Sequence, residues 1–293
     1  MKDAARLLGY FAATVFFGAL LAPLLFWKVQ WLATHGFFPN LAHYRFEAFF
    51  HRAVMLGAIV FFWPLLRGLR IKNRSDLGLA PNLHWRRDAG IGLLISAVPL
   101  LCCGIFLLAL NVYGLRASVH WPAIGQVLLA GLFVAPIEEA LFRGLFLGVL
   151  LRSNRPLIAT LASAGIFSIV HFLKAPNETN IVVTWASGFN SIAHSFAQFT
   201  EPMLMLAGFA TLFLLGCILA DARLRTRSLW LPIGLHAGWI FVSGAFNKIA
   251  HQQMLALPWL GKNLTIGLLP LCVGLISWAL LRIWFSHVGS RAH

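Results

Sequence analysis

The stretch that decides the fold is residues 131–150, GLFVAPIEEALFRGLFLGVL, in which only Glu138, Glu139 and Arg143 are charged. A helix of this length spans about 30 Å, the thickness of the hydrocarbon core of a bilayer. A charged side chain at that depth costs at least about 2.5–3.5 kcal/mol. Two adjacent carboxylates in such a segment therefore indicate a site with a purpose.

The spacing of these charges predicts different roles for the two glutamates. Glu139 and Arg143 are four residues apart, so a helix places them on one face, with the acid N-terminal to the base. Glu138 points about 100° away from Glu139 around the helix. We therefore expect an intramembrane ion pair between Glu139 and Arg143, and we interpret Glu138 as a candidate general base.

The composition extends this interpretation to the whole chain. Of the 293 residues, 59% are hydrophobic and 11% are charged, and the mean hydropathy is +0.79. These values predict an all-α polytopic membrane protein that forms a single membrane domain over residues 1–293. About eight transmembrane helices are expected, at residues 7–32, 47–66, 89–112, 124–151, 157–173, 203–220, 229–247 and 264–281.

The distribution of basic residues predicts the orientation. The net charge is +14, but the basic residues fall mostly in short loops and form no basic face of a soluble domain. We therefore expect the lipid bilayer, and no nucleic acid, as a partner. Placing most of the Lys and Arg inside puts both termini in the cytoplasm of a cell-membrane protein. The long loop at 174–202, with Trp185 and Phe189, Phe196 and Phe199, is predicted to lie at the interface or to cover something.

Two histidines in other apolar segments complete the candidate site. Glu139 and His171 lie 13 and 16 residues from the turn at 152–155, so both are about 20–24 Å above it and at similar depth. His236 follows Arg227 by nine residues, or about 14 Å, which places it one or two helical turns lower. This count puts the acids nearer the outer face.

In this order and in separate segments, the motifs resemble those of the CPBP family of intramembrane proteases, which includes the type II CAAX prenyl endopeptidases and bacteriocin-processing and immunity proteins. The family pattern is Glu-Glu-x-x-x-Arg, then Phe-x-x-x-His, then His-x-x-x-Asn or Asp, on an eight-helix core. The first motif is complete at Glu138–Arg143 and the second at Phe167–His171. The third begins at His236 but has Ile240 in its last position.

The resemblance implies glutamate-dependent peptide hydrolysis within the membrane, with residues 124–247 as the catalytic core segments. It implies that Glu138 and His171 activate water and that His236 stabilises the oxyanion. It also implies supporting roles for Glu139, Arg143 and Phe167, a peptide or protein substrate, and no cofactor or metal. Ile240 cannot donate a hydrogen bond, and one lost oxyanion donor costs about 10²–10³ in rate.

Three other functions are consistent with the same residues. Glu138, His171 and His236 could bind zinc as one carboxylate and two imidazoles, as in a zinc-dependent intramembrane protease. Buried Glu and His also relay protons in transporters, although we find no internal repeat of the kind common in that class. A non-catalytic scaffold or immunity protein of the same fold would explain Ile240.

Overall fold

The computed structural model describes residues 2–152, 155–172, 182–195, 202–254, 258–261 and 263–289. Within these ranges the chain is helical almost throughout, which confirms the predicted all-α polytopic fold. The α-helices are α1 (Lys2–Thr34), α2 (Phe46–Gly68), α3 (Trp85–Ala109), α4 (Trp121–Glu139), α5 (Leu147–Leu151), α6 (Pro156–Phe172), α7 (Ser187–Ser195), α8 (Pro202–Thr226), α9 (Trp230–Ile249) and α10 (Leu268–Gly289).

Each of the eight predicted apolar segments contains a helix, but they differ in how they would meet a membrane. In the described residues, six helical stretches are long and apolar enough to span one, namely Ala5–Thr34, Phe46–Gly68, Trp85–Ala109, Trp121–Leu151, Pro202–Thr226 and Leu268–His287. The helix α6 is apolar but shorter. The helix α9 is buried along much of its length and is not among these six stretches. The total of eight spans stays a prediction.

The contacts divide the chain into two compact units, and the first comprises Met1–Lys72 and Val170–Pro202. Its centre is the packing of α1 against α2. Gly57 lies beside the backbone of Thr14, and the ring of Phe26 makes edge contacts with Phe46 and Phe49. A small residue at the contact lets two membrane helices approach closely, so van der Waals packing holds this pair together.

The predicted outer loop contains a helix of its own. Residues 187–195 form α7, which packs on α1, with Gly188 against the backbone of Ala19. Trp185 makes an edge contact with Trp27. The aromatic residues of this segment therefore pack against α1, while Phe196 and Phe199 lie outside the described residues.

The second unit comprises Asn73–Ile169 and Met203–His293, and α9 is its central helix. On one side α9 packs against α3, where Gly234 meets the backbone of Ala89 and Gly238 meets Ser96. On the other side it packs against α4, where Gly244 lies against Val127. All three glycines lie in close contact with a neighbouring helix. They fix the position and rotation of α9, because a side chain at any of them would strike the neighbouring helix.

A π-helix interrupts the span that carries the two glutamates. The α-helical part ends at Glu139, three residues after Pro136, and a π-helix follows over Ala140–Phe146 before α5. Proline removes a backbone donor and perturbs the hydrogen-bond ladder of a helix. Single turns of π-helix are rare and are found frequently at functional sites. The span thus changes helix type shortly after Pro136.

The connection between α2 and α3 packs against the π-helix. It contains a short 3₁₀-helix, Arg74–Leu77, followed by Gly78 with a positive φ of 76°. The Leu77 carbonyl lies beside Gly144, where an added Cβ would come within 2.8 Å of it. The Gly78 carbonyl accepts a hydrogen bond from the Leu229 amide at 3.0 Å. The connection therefore joins the π-helix to the start of α9.

Two short strands, which the sequence does not predict, join the C-terminal ends of α3 and α9. The strand β1 (Tyr113–Leu115) pairs antiparallel with β2 (Ala250–Gln252). The Arg116 amide donates to the Ile249 carbonyl at 2.9 Å and so extends the pairing to the last residue of α9. The Tyr113 ring packs on the edge of Phe246. The far end of α9 is thereby tied to the segment that follows α3.

Candidate active site

Glu139 is the centre of the candidate site. Its carboxylate is fully buried, and one oxygen, Oε1, accepts from Arg143 Nη1 at 3.0 Å and contacts His236 Nδ1 at 2.8 Å. The predicted ion pair between Glu139 and Arg143 is therefore present. The second contact was not predicted, and it joins the first and third sequence motifs at a single oxygen atom.

Arg143 lies in the π-helix and is buried on all sides. Its Nη2 donates to the Gly216 carbonyl of α8 at 3.4 Å. Its guanidinium carbon lies 4.2 Å from the centre of the Phe167 ring. A buried guanidinium needs both a counter-charge and partners for its N–H groups. Glu139, Gly216 and Phe167 supply a carboxylate, a carbonyl and an aromatic face, so they hold the cation in one orientation.

His236 lies between the two glutamates. Because an ionised carboxylate only accepts hydrogen bonds, we assign the proton at Nδ1 to the contact with Glu139. The other ring nitrogen, Nε2, lies 3.7 Å from Glu138 Oε2. The edge of Phe167 contacts the imidazole, with the ring centres 5.8 Å apart. The ring is thus fixed on two sides, and Nε2 is the nitrogen that faces Glu138.

The observed depth of His236 differs from the sequence estimate. Residue counting placed it one or two turns below the acids, but it contacts Glu139 directly. His236 is only six residues after the start of α9 at Trp230, or about 9 Å along the helix. His236 therefore lies in the first half of α9, nearer Trp230 than Lys248, and the location of the acids nearer the outer face stays a prediction.

Glu138 differs from its neighbour in accessibility. Its side chain is 27% exposed, whereas that of Glu139 is 0% exposed. The two residues follow each other on the last turn of α4, so their side chains diverge, as predicted. Of the two carboxylates, Glu138 is the one that water or a substrate can reach.

The charges of this cluster balance in pairs. Arg143 compensates one carboxylate, which leaves Glu138 and His236 to share one further proton if the whole cluster is neutral. Either Glu138 is ionised and His236 is an imidazolium, or both are neutral. In a low-dielectric site a neutral cluster is strongly favoured over one with net charge.

His171 and Ile240 are the two remaining positions of the predicted motifs. His171 is half-buried near the end of α6, one turn after Phe167, and belongs to the first compact unit. Its predicted depth match with Glu139 stays a prediction. Ile240 is half-buried one turn after His236, and an added Cβ on Gly131 of α4 would lie 3.8 Å from it. An aliphatic contact thus occupies the position where the family pattern has an amide or acid.

A zinc site formed by Glu138, His171 and His236 was one of the alternative hypotheses. Within the described residues, no group of three or more His, Cys, Asp and Glu side chains is placed to hold a metal ion. In the cluster described above, Glu139 already contacts Arg143 and His236. Glu138 and the Nε2 atom of His236 are the remaining donor groups of that cluster.

Sequence reasoning missed one partner of the site. The Gly216 carbonyl is a backbone group, so the residue type does not indicate that it is a partner. The glycine does allow α8 to approach Ala164 of α6 closely. Phe167 was expected as a motif residue, but its double contact with Arg143 and His236 depends on how three helices pack, and no spacing within one segment reveals that.

The region that contains these residues is similar to a known protein family. Residues 120–242 match the family model described as type II CAAX prenyl endopeptidase Rce1-like. No curated protein and no solved structure matches the chain significantly. The matched region contains all three motifs and the whole Glu138, Glu139, Arg143 and His236 cluster. This match confirms the predicted resemblance of residues 120–242 to the CPBP family of intramembrane proteases.

Proposed function

We propose that the chain is an intramembrane, glutamate-dependent endopeptidase that cleaves membrane-associated or exported polypeptides. The observation that carries the proposal is the difference between the two adjacent glutamates. Glu139 is fixed between Arg143 and His236, and Glu138 is accessible beside Nε2 of the same imidazole. A buried, paired carboxylate suits an orienting role, and an accessible one suits proton transfer.

In the proposed reaction Glu138, assisted by His171, deprotonates a water molecule as its oxygen attacks the carbonyl carbon of the scissile peptide. The carbonyl double bond opens and its electron pair moves to oxygen, which becomes the oxyanion. Glu138 then transfers the proton to the amide nitrogen, the C–N bond breaks, and the amine leaves. General base and acid catalysis of this kind contributes about 10²–10⁴ in rate.

His236 stabilises the oxyanion in this scheme. With Glu138 ionised, His236 is an imidazolium in the neutral cluster, and its Nε2–H is the donor to the developing negative charge. Glu139 accepts from Nδ1 at 2.8 Å, so it orients the ring and stabilises its positive charge. This relay resembles the carboxylate that orients a catalytic histidine in other hydrolases.

Arg143 and Phe167 act as positioning residues. Arg143 neutralises Glu139 and is itself tied to Gly216, and Phe167 packs on both Arg143 and His236. Ile240 supplies no second oxyanion donor. We therefore expect slower cleavage than a site with an amide at this position would give.

The test is a profile of new peptide termini in membranes that express the wild type or the Glu138→Gln variant. This change keeps the shape of the side chain and removes the base. Termini that appear only with the wild type would support proteolysis, and their sequences would define the substrate class. Glu47→Gln, the same change at a buried position in α2, is the matched control and should leave the profile unchanged.

Identical profiles for the wild type and Glu138→Gln would contradict the proposal and would favour the non-catalytic scaffold or immunity protein. Loss of the new termini in Glu47→Gln as well would attribute the effect to folding rather than to the base. Comparing the amount of each variant in the membrane separates these two results.

A further inference from the structure

A groove between α1 and α2, within the first compact unit, has the shape of a lipid site. It is an open cavity of about 270 Å³ whose walls include Arg6, Gly9 and Tyr10 from α1 and Phe61, Leu65 and Gly68 from α2. Two of these residues are glycines. An added Cβ on Gly9 would have no atom within 4 Å, and one on Gly68 would meet only the Arg6 side chain, at 3.5 Å. The groove therefore exists because both helices lack a side chain there.

The two ends of the groove differ in chemistry. The inner walls are apolar, and Tyr10 presents its ring to the groove because its hydroxyl donates to the Ala58 carbonyl at 2.9 Å. At the rim the Arg6 side chain lies over Gly68. One end thus suits a hydrocarbon chain, and the other suits an anion.

Arg6 is available to a ligand despite its ion pair. Its Nη1 contacts Asp3 Oδ1 at 2.8 Å, and both side chains are exposed. An exposed ion pair of this kind is weak and exchanges readily. A guanidinium has five N–H groups in a planar fork that matches two phosphate oxygens, so Arg6 can bind a phosphate while the pair with Asp3 opens or remains.

Neighbouring residues place the rim at a membrane surface. Trp63 is exposed, and the Arg67 guanidinium lies 5.1 Å from the centre of its ring. Tryptophan and arginine are typical of the boundary between hydrocarbon and headgroups. Arg70 and Lys72 follow in sequence and add positive charge. In the predicted topology this is the cytoplasmic surface, where anionic lipids are enriched and basic pockets between helices bind their headgroups.

We propose that this groove binds an anionic phospholipid, with its phosphate at Arg6 and part of an acyl chain between Tyr10 and Phe61. Free phosphate would contact the rim and leave the apolar walls uncovered. A zwitterionic lipid would fill the walls but would gain less from the basic residues. The anionic phospholipid is the occupant that satisfies both ends, and its binding does not depend on peptidase activity.

The test uses the purified full chain in a neutral detergent and native mass spectrometry of bound lipid. Palmitoyl-oleoyl phosphatidylglycerol and phosphatidylcholine are offered in equal amounts, since they differ only in the headgroup. We expect the wild type to retain about fivefold more phosphatidylglycerol, as one basic residue near the surface would give. A third arm adds inorganic phosphate, which should not displace the lipid.

Three variants locate the site. Gly9→Leu fills the groove from α1 and should abolish the retention of phosphatidylglycerol. Gly90→Leu is the matched control, because Gly90 is a helical glycine of α3 that also has no atom within 4 Å of an added Cβ. It should retain the lipid like the wild type. Arg6→Gln should still bind lipid but without preference for the anionic headgroup.

Equal retention of the two lipids by the wild type would overturn the proposal, as would equal retention of phosphatidylglycerol by Gly9→Leu and Gly90→Leu. Displacement by inorganic phosphate would overturn it in favour of a simple anion site. The melting temperature of each variant without added lipid shows that the protein is folded, so that loss of binding is a property of the groove.

Discussion

Glu138 and Glu139 are adjacent in the chain, yet one side chain is 27% exposed and the other is fully buried between Arg143 and His236. The same residue type therefore meets two environments within one helical turn. Glu139 is part of a closed chain of contacts that runs from the Gly216 carbonyl to the imidazole. Glu138 lies beside the imidazole at the end of that chain, and its side chain is partly exposed.

Exchanging each glutamate for glutamine should separate stability from activity. Glu139→Gln leaves the buried Arg143 without its counter-charge, and breaking a buried pair in this way costs about 3–5 kcal/mol. Glu138→Gln should change the thermal unfolding temperature little and abolish the production of new peptide termini. Unfolding in detergent and terminus profiling measure the two effects. A Glu138→Gln protein as unstable as Glu139→Gln would contradict the assignment.

Ile240→Asn should raise the rate of cleavage. The residue lies one turn after His236 on α9, at the position where the family pattern has an amide or acid. A restored oxyanion donor is worth about 10²–10³ in rate, and a partial gain of about tenfold is the minimum that we expect. The rate of appearance of a wild-type terminus provides the measurement. Ile240→Val, which adds no donor, is the control and should cleave at the wild-type rate.

Gly234→Ala should destabilise the protein strongly. The new methyl group would collide with the backbone of Ala89, and backbone cannot rotate away as a side chain can. Because α9 also carries His236, the variant should lose activity together with stability. Gly90→Ala on α3 is the control, since nothing lies near its added Cβ, and it should be neutral or slightly stabilising. Equal melting temperatures for the two variants would contradict the packing argument.

Tyr113→Phe should protect the protein at alkaline pH. Burial raises the pKa of the Tyr113 hydroxyl from 10.0 to about 12. Between these two values the unfolded chain loses the phenolic proton and the folded chain keeps it, so stability present below pH 10 declines as the pH rises toward 12. Phenylalanine removes this decline. It should cost little near neutral pH, because the hydroxyl has no hydrogen-bond partner among the described residues. Melting temperatures at pH 8 and pH 11 provide the comparison.

Metal chelation should leave cleavage unchanged. In the proposed reaction Glu138 and His171 activate the water, and His236 supplies the charge stabilisation, so no step needs a Lewis acid. The measurement is the yield of wild-type termini in membranes treated with a membrane-permeant chelator. A loss of activity that added zinc restores would favour the zinc-dependent alternative. A chelator analogue that cannot bind metal controls for effects on the bilayer.

The sequence predicts much of the fold because bilayer thickness leaves few choices. Eight apolar segments were expected, and each contains a helix. The pair of Glu139 and Arg143 followed from helical spacing alone. By contrast, the contact between Glu139 and His236 joins residues 97 positions apart. This contact depends on the packing of α4 against α9 and on the length of the connections. Residue counting along straight helices therefore placed His236 one or two turns away from the acids that it contacts.

Two further features required the structure. The π-helix over Ala140–Phe146 has no distinctive composition, since its residues suit an α-helix equally well. The sheet formed by β1 and β2 consists of strands of three residues each, too short for an alternating pattern. Both are set by tertiary contacts, at Gly144 in one case and around Tyr113 in the other.

The π-helix also makes the site sensitive to chain length. A π-turn holds one more residue than an α-turn, so deleting a single residue between Glu139 and Leu147 would allow a continuous α-helix to form. Arg143 would then be rotated about the helix axis relative to Glu139, even though every side chain of the cluster was retained. The length of this segment is therefore constrained as strongly as the identity of its residues. Insertions or deletions here should be as damaging as loss of the charges themselves.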